Sequence, residues 1–183
     1  MIDGNEMLAL MSSRQSERRY LDRPVEKEKI ERILEAGRLS PSACNGQPWK
    51  FILVDDPALR DGIAIAASAR VLKMNTFVDQ APVIIVIVRE KSNFSSRAGE
   101  IIKSKDYSRI DIGIAAVSMA YQASAEGLGT CIIGWLDEKR IKELLKIPAS
   151  KNVELILTLG YTDNKVRSKI RKPPAEVISF NKY

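Results

Sequence analysis

The sequence predicts a single domain that combines α-helices with a β-sheet, and three stretches carry that expectation. Residues 26–39 place Ile30, Ile33 and Leu34 on one helical face and Glu/Lys pairs on the other. Pro82 to Val88 is a continuous β-branched run, the pattern of a central strand buried on both faces. Between Ile112 and Ala125 there is no charged residue, so a helix over 108–126 has to be buried nearly all round. A chain of 183 residues is long enough for one proper core.

Composition narrows the function. With 45% hydrophobic and 28% charged residues the chain reads as soluble and globular. A net charge of +6 suits an anionic small ligand or nucleic acid, so the placement of the cations has to decide. The chain has no histidine, which removes the usual general base, the Ser-His-Asp triad and most zinc sites. Cys44 and Cys131 make neither a metal site by themselves nor a secreted disulfide scaffold, which points to a reducing cytoplasm. No apolar run approaches the roughly 20 residues that span a bilayer, and the first residues, with Asp3 and Glu6, lack a signal pattern.

In chain order, Met7, Leu8 and Met11 mark a short helix over 5–12. Arg14, Ser16, Arg18 and Arg19 then group guanidinium forks with a hydroxyl, a set that holds phosphate or forms a solvated basic turn. After the 26–39 helix, the loop Pro41-Ser42-Ala43-Cys44-Asn45-Gly46-Gln47-Pro48-Trp49 carries side-chain amides beside a large ring, between two rigid elements. Lys50 to Val54 alternates as a strand, Asp55-Asp56-Pro57 starts a helix over 58–73, and Asn75 to Gln80 is a polar connector. Residues 90–107, with Asn93, Ser92, Ser95, Ser96 and Gly99, read as a mobile lid or variable loop, or equally as a plain surface excursion. Gly127 stops the uncharged helix, whose surplus apolar surface predicts packing against a second subunit, with a central helix in a monomer as the alternative. A short strand through Thr130, Cys131, Ile132 and Ile133 follows, with Gly134 near its end, and no Gly-x-Gly-x-x-Gly fingerprint accompanies it. Asp137 caps a helix through Lys146, and residues 152–161 alternate through Val153, Leu155, Leu157 and Leu159 as a strand. In the basic tail, Lys165, Arg167, Lys169 and Arg171 point one way if the chain is extended, which makes a row of cations.

Taken together these motifs resemble the nitroreductase family of flavin mononucleotide (FMN) oxidoreductases over nearly the whole chain. Arg14-Gln15-Ser16-Glu17-Arg18-Arg19-Tyr20 is similar to the family's Arg-x-Ser-x-Arg/Lys-x-aromatic motif. The 41–49 loop is similar to its Pro-Ser-x-x-Asn-x-Gln-Pro-Trp segment. The uncharged helix with Gly127-Leu128-Gly129-Thr130 and Ile133-Gly134, and then Lys169-Ile170-Arg171-Lys172-Pro173, supply its later signatures. The resemblance implies an α+β fold, a three-layer α/β/α sandwich around a mixed, mainly antiparallel sheet. It also implies one FMN-binding domain over 1–183 with a C-terminal arm over 165–183, and a homodimer with FMN sites between the subunits.

Carried over by position, Arg14, Ser16 and Arg18, with Gln15 adjacent, would bind the FMN phosphate and ribityl chain, joined by Arg171. Lys169 would lie beside the flavin's N1 and C2 carbonyl edge as a cation that tunes it. Pro41, Ser42, Ala43, Asn45 and Gln47 would pack on the flavin held mainly by the other subunit. The strand segment Cys131, Ile132, Ile133 and Gly134 would meet the ring near N5, and Asn75 its pyrimidine edge. At Gln15 this sequence departs from the basic residue or histidine that family members often carry. The implied reaction moves two electrons from NAD(P)H to a nitroaromatic, quinone or similar small-molecule acceptor by a ping-pong cycle, with chemistry carried by the flavin and no metal. The alternatives are another reaction on the same scaffold (flavin reduction, dehalogenation or dehydrogenation) or a flavin- or anion-binding protein without turnover. Nucleic acid is the weaker reading of the cations, because no aromatics are interleaved with them.

Overall fold

Val83–Arg89 forms strand β2, and its unbroken apolar run has the explanation expected: both of its faces are covered. The computed structural model describes residues 3–68, 74–90 and 106–183. In these, helices α1 (Gly4–Ser13) and α2 (Lys27–Arg38) precede strand β1 (Trp49–Val54) and helix α3 (Pro57–Ala67). After β2 come α4 (Tyr107–Ala125), β3 (Gly129–Ile133), α5 (Glu138–Leu145), β4 (Asn152–Gly160) and the short α6 (Pro174–Val177). The strands lie in the order β1-β2-β4-β3, and every neighbouring pair is antiparallel. Outside β3, Ser16 adds a parallel bridge to Thr130, so the sheet is mixed but mainly antiparallel.

Helices cover both faces, as the three-layer expectation requires. Val83, Ile85 and Ile87 of β2 and Leu157 and Leu159 of β4 pack under Ile30 and Ile33 of α2 and Ile112, Ala116 and Met119 of α4. The alternate residues Ile84, Val86 and Val88, with Ile156, face Ile63 of α3 and Ile141 of α5. Asp56 starts α3 by accepting the Leu59 N–H at 2.9 Å, with Pro57 in the first turn. Asp137 does the same for Arg140 at 3.1 Å, as its sequence position predicts. Gly127, at φ +76°, ends α4.

Four sequence expectations change. The 58–73 helix ends at Ala67, where Ser68 turns extended, and residues 69–73 fall outside the described residues. The 75–80 connector is a 3-10 turn over Thr76–Gln80 that buries Phe77 and Val78. Asp111, expected from the sequence in the first turn of the 108–126 helix, sits in the second turn of α4, because the helix starts at Tyr107 after Asp106. Val153 packs with the α3/α5 side, opposite to Leu155, Leu157 and Leu159. Ile87 pairs with Leu155 but Val88 with Val153, so a bulge at Glu154 switches the face. Most of the expected 90–107 loop, residues 91–105, lies outside the described residues.

α2 and the end of α4 are joined by a bidentate pair, with Arg32 donating to Glu126 at 2.6 and 2.9 Å. That hydrogen bond holds the Glu126 carboxyl down at about 2. A carboxylate depressed by folding contributes stability above its ordinary value of 4.5, and the contribution is lost as pH falls toward 2. The stability difference between wild type and Arg32→Met is therefore expected to be full at pH 6 and to shrink through this window. Urea melts at several pH values check it, and a difference independent of pH would contradict the assignment.

Candidate functional site

Residues 14–18 run extended along the outer edge of β3, with the Glu17 N–H bonded to the Thr130 carbonyl at 2.9 Å. After β4 the chain turns back and runs antiparallel to this segment. The Leu21 N–H reaches the Tyr161 carbonyl at 2.9 Å, Asn164 Nδ2 donates to Glu17 Oε2 at 2.7 Å, and Gln15 Nε2 donates to the Lys165 carbonyl at 3.2 Å. The Arg167 N–H and Nε donate to Gln15 Oε1 at 3.0 and 3.1 Å, and Lys169 Nζ donates to the Arg14 carbonyl. The two distant parts of the chain thus enclose an open cavity of about 320 Å³ lined by Arg14, Gln15, Ser16, Arg18, Arg167, Ser168, Lys169, Ile170 and Arg171.

Five of those side chains are cations. Desolvation, and then the charges of Arg14, Arg171 and Arg167, pull the Lys169 amine below its ordinary value. A group of like charges that already weakens its own lysine gains energy when an anion arrives. Arg14, Ser16, Arg18, Lys169 and Arg171 therefore come together as the sequence anticipates. Arg167 and Ser168 join them, and the every-second-residue spacing of the tail was the signal for Arg167. Gln15 lines the same cavity, but both ends of its amide are bonded within the protein.

The 41–47 loop lies elsewhere. Its turn, Ala43–Asn45, is fastened to the start of α4, where the buried Asp111 carboxylate accepts the Ala43 N–H at 3.1 and 3.2 Å. Burial pushes the Asp111 carboxyl up, against the pull of that N–H. Cys44, Asn45 and Gln47 all adopt positive φ, at 50°, 52° and 45°. Non-glycine residues pay for that conformation, and such strain concentrates at ligand sites. The Gln47 N–H donates to Ser42 Oγ at 3.0 Å and Gln47 Nε2 to Asn45 Oδ1 at 3.2 Å, which keeps the polar groups of the loop together with Pro41 at its head. No residue of this loop lines the cation cavity. The loop is fastened at Asp111, near the start of α4, whereas Ser16 of the cavity pairs with Thr130, which follows the other end of that helix.

The strand beside the cation segment is β3. Cys131 and Ile133 are buried, Ile132 is partly exposed, and Gly134 is exposed at the strand end. Burial pushes the Cys131 thiol up, against Arg18 and the Ser16 hydroxyl. Asn75 is not part of the cavity. Its Nδ2 donates to the Ala67 carbonyl at 3.1 Å, closing α3. The described residues hold no cluster of His, Cys, Asp and Glu suited to a metal. No helix among them is long and apolar enough to cross a membrane.

The Nitroreductase family profile matches residues 11–161, which spans the cation segment, the strained loop and the whole sheet. The chain belongs to the nitroreductase family. It is therefore an oxidoreductase. Among solved structures, it is similar to an FMN-dependent nitroreductase from Clostridium difficile R20291, at TM-score 0.81 and 30% identity, covering 97% of this chain and 100% of that one. A nitroreductase family protein from Clostridium novyi NT gives a TM-score of 0.74 at 29% identity, covering 85% of each chain. The FMN reductase [NAD(P)H] of Bacillus subtilis (strain 168) is 27% identical over 94% of this chain and 72% of its own.

Proposed function

We propose that this nitroreductase-family protein binds FMN and passes two electrons from NAD(P)H to a nitroaromatic, quinone or similar acceptor in a ping-pong cycle. The observation that carries the reading is the convergence of Arg14, Arg18, Arg167, Lys169 and Arg171 with Ser16 on one cavity. Forked guanidinium donors and a hydroxyl match the charge and hydrogen-bonding capacity of a phosphate monoester. Bound there, FMN would supply the two-electron chemistry.

In this reading Arg14, Arg18 and Arg171 neutralise the phosphate, Ser16 hydrogen-bonds it, and β3 from Cys131 to Gly134 supplies the edge beside the ring. Lys169 holds a fixed positive charge where negative charge develops. Pro41, Ser42, Ala43, Asn45 and Gln47 come from a second copy, since one copy keeps them at the other end of α4. Ile110 and Gly113 are exposed, and Ile114, Val117 and Tyr121 half-buried, on the outer side of α4, an apolar strip suited to that second copy. Asn75, tied to α3, has no role in this reading.

The test is the visible spectrum of the purified protein, then anaerobic addition of NADH and NADPH. Bound FMN that bleaches with either donor, and parallel lines in double-reciprocal plots with a quinone, are expected. A protein that neither retains nor takes up FMN ends the proposal. With FMN saturating, Lys169→Ala is expected to lower the flavin potential and slow reduction about tenfold. This is less than the roughly 10²–10³ of a desolvated donor, because Lys169 stays in contact with solvent. Unchanged stopped-flow reduction would remove Lys169 from that role.

A further inference from the structure

Arg14, Ser16 and Arg18 open toward the cation cavity, while the residues between them turn inward. Gln15 is 8% exposed and Glu17 is 5% exposed. An extended segment on a sheet edge ordinarily buries apolar side chains at such positions, and a buried carboxylate is costly unless its oxygens are bonded. Glu17 meets that requirement without an ion pair: among the described residues no lysine or arginine lies within salt-bridge distance of it. Its Oε1 accepts from Gln15 Nε2 at 2.6 Å and its Oε2 from Asn164 Nδ2 at 2.7 Å. There is no slack around it, since a Cβ on Gly129 would stand 2.6 Å from Glu17 Cγ.

The direction of these bonds fixes the next one. With Nε2 committed to Glu17 and to the Lys165 carbonyl, Gln15 must present Oε1 outward along the arm. That oxygen receives both the backbone N–H and the Nε of Arg167, whose Nη2 continues to the Ser16 carbonyl at 2.9 Å. The chain of acceptors runs from a buried charge, through one amide, to the point where the arm crosses over the cavity. The Glu17 charge also acts to raise the Lys169 amine, opposite to the three arginines.

We infer that Gln15 and Glu17 are positioning residues that touch no ligand: they orient Arg167 and lock the arm over residues 14–18, so that the anion site is formed before the anion arrives. The inference rests on the FMN reading of the cavity and names what sets its affinity for the phosphate. Preorganisation of this kind shows as tighter binding of the group that the site encloses.

The test compares FMN with riboflavin, which lacks the phosphate, by equilibrium fluorescence titration of wild type, Gln15→Leu and Glu17→Gln. Gln15→Leu keeps an inward side chain of similar size but no acceptor for Arg167. Glu17→Gln keeps the shape but offers one acceptor where two donors arrive. The expected result is a preference of wild type for FMN that falls about tenfold or more in Gln15→Leu, and by less in Glu17→Gln, while riboflavin affinity holds. Trypsin is expected to cut the Lys165–Arg171 segment faster in both apo variants. A loss of affinity for FMN and riboflavin alike would show a general structural role and overturn the inference, as would an unchanged preference in folded Gln15→Leu. Should Gln15→Leu fail to fold, the preference measured in Glu17→Gln decides alone. A wild type that binds FMN no better than riboflavin would refute the phosphate reading itself, a result distinct from variants that keep a wild-type preference.

Discussion

Replacing Arg14 and Arg171 together with alanine is expected to weaken FMN binding about a hundredfold. The two residues come from opposite ends of the chain and line the same cavity. A hydrogen bond to a charged group contributes about 1.5–3 kcal/mol, and two on a partly exposed site suggest a total near 3 kcal/mol. Three cations and Ser16 remain, so some binding survives. Riboflavin affinity is expected to change little. The wild-type affinity for FMN is expected to fall with added salt, and the double variant to show a shallower salt dependence. Titrations at two ionic strengths measure both effects. Equal FMN affinity in the two proteins would move the phosphate out of this cavity.

The second large effect belongs to the sheet. Ile85 of β2 pairs directly with Leu157 of β4, and both are fully buried on the α2/α4 side. Ile85→Ala is expected to lower the free energy of unfolding by about 3 kcal/mol, within the range of about 2–5 kcal/mol for such truncations, and Leu157→Ala by a similar amount. Because the two side chains share one layer of packing, the double variant is expected to lose less than the sum. Guanidinium melts decide it. A loss below about 1 kcal/mol for either single variant would mean that this layer is not the core.

Local chemistry made most of the architecture readable. The apolar face of α2, the caps at Asp56 and Asp137, the glycine stop at Gly127 and the β-branched run of β2 each state their structure within a few residues. What escaped depends on partners far away in sequence. Val153 follows the same alternation as Leu155, and only the pairing with β2 reveals the bulge that turns it to the other side. Phe77 and Val78 sit among polar residues and read as connector until α3 covers them. At the site, the cations of 14–18 and 165–171 were visible as two groups, and a family motif joined them. Gln15, expected beside the ligand, does line the cavity, but an amide beside two arginines gives no local sign that Glu17 and Arg167 occupy its two ends.

The bond from the Arg167 N–H to Gln15 crosses 152 positions of sequence. A nascent polypeptide that has completed its entire sheet still lacks this pocket, because the second wall is translated after the last strand. On the proposed FMN reading, capture of the nucleotide is a late event in biogenesis, and a product truncated between β4 and Arg167 would be one unable to take up its prosthetic group.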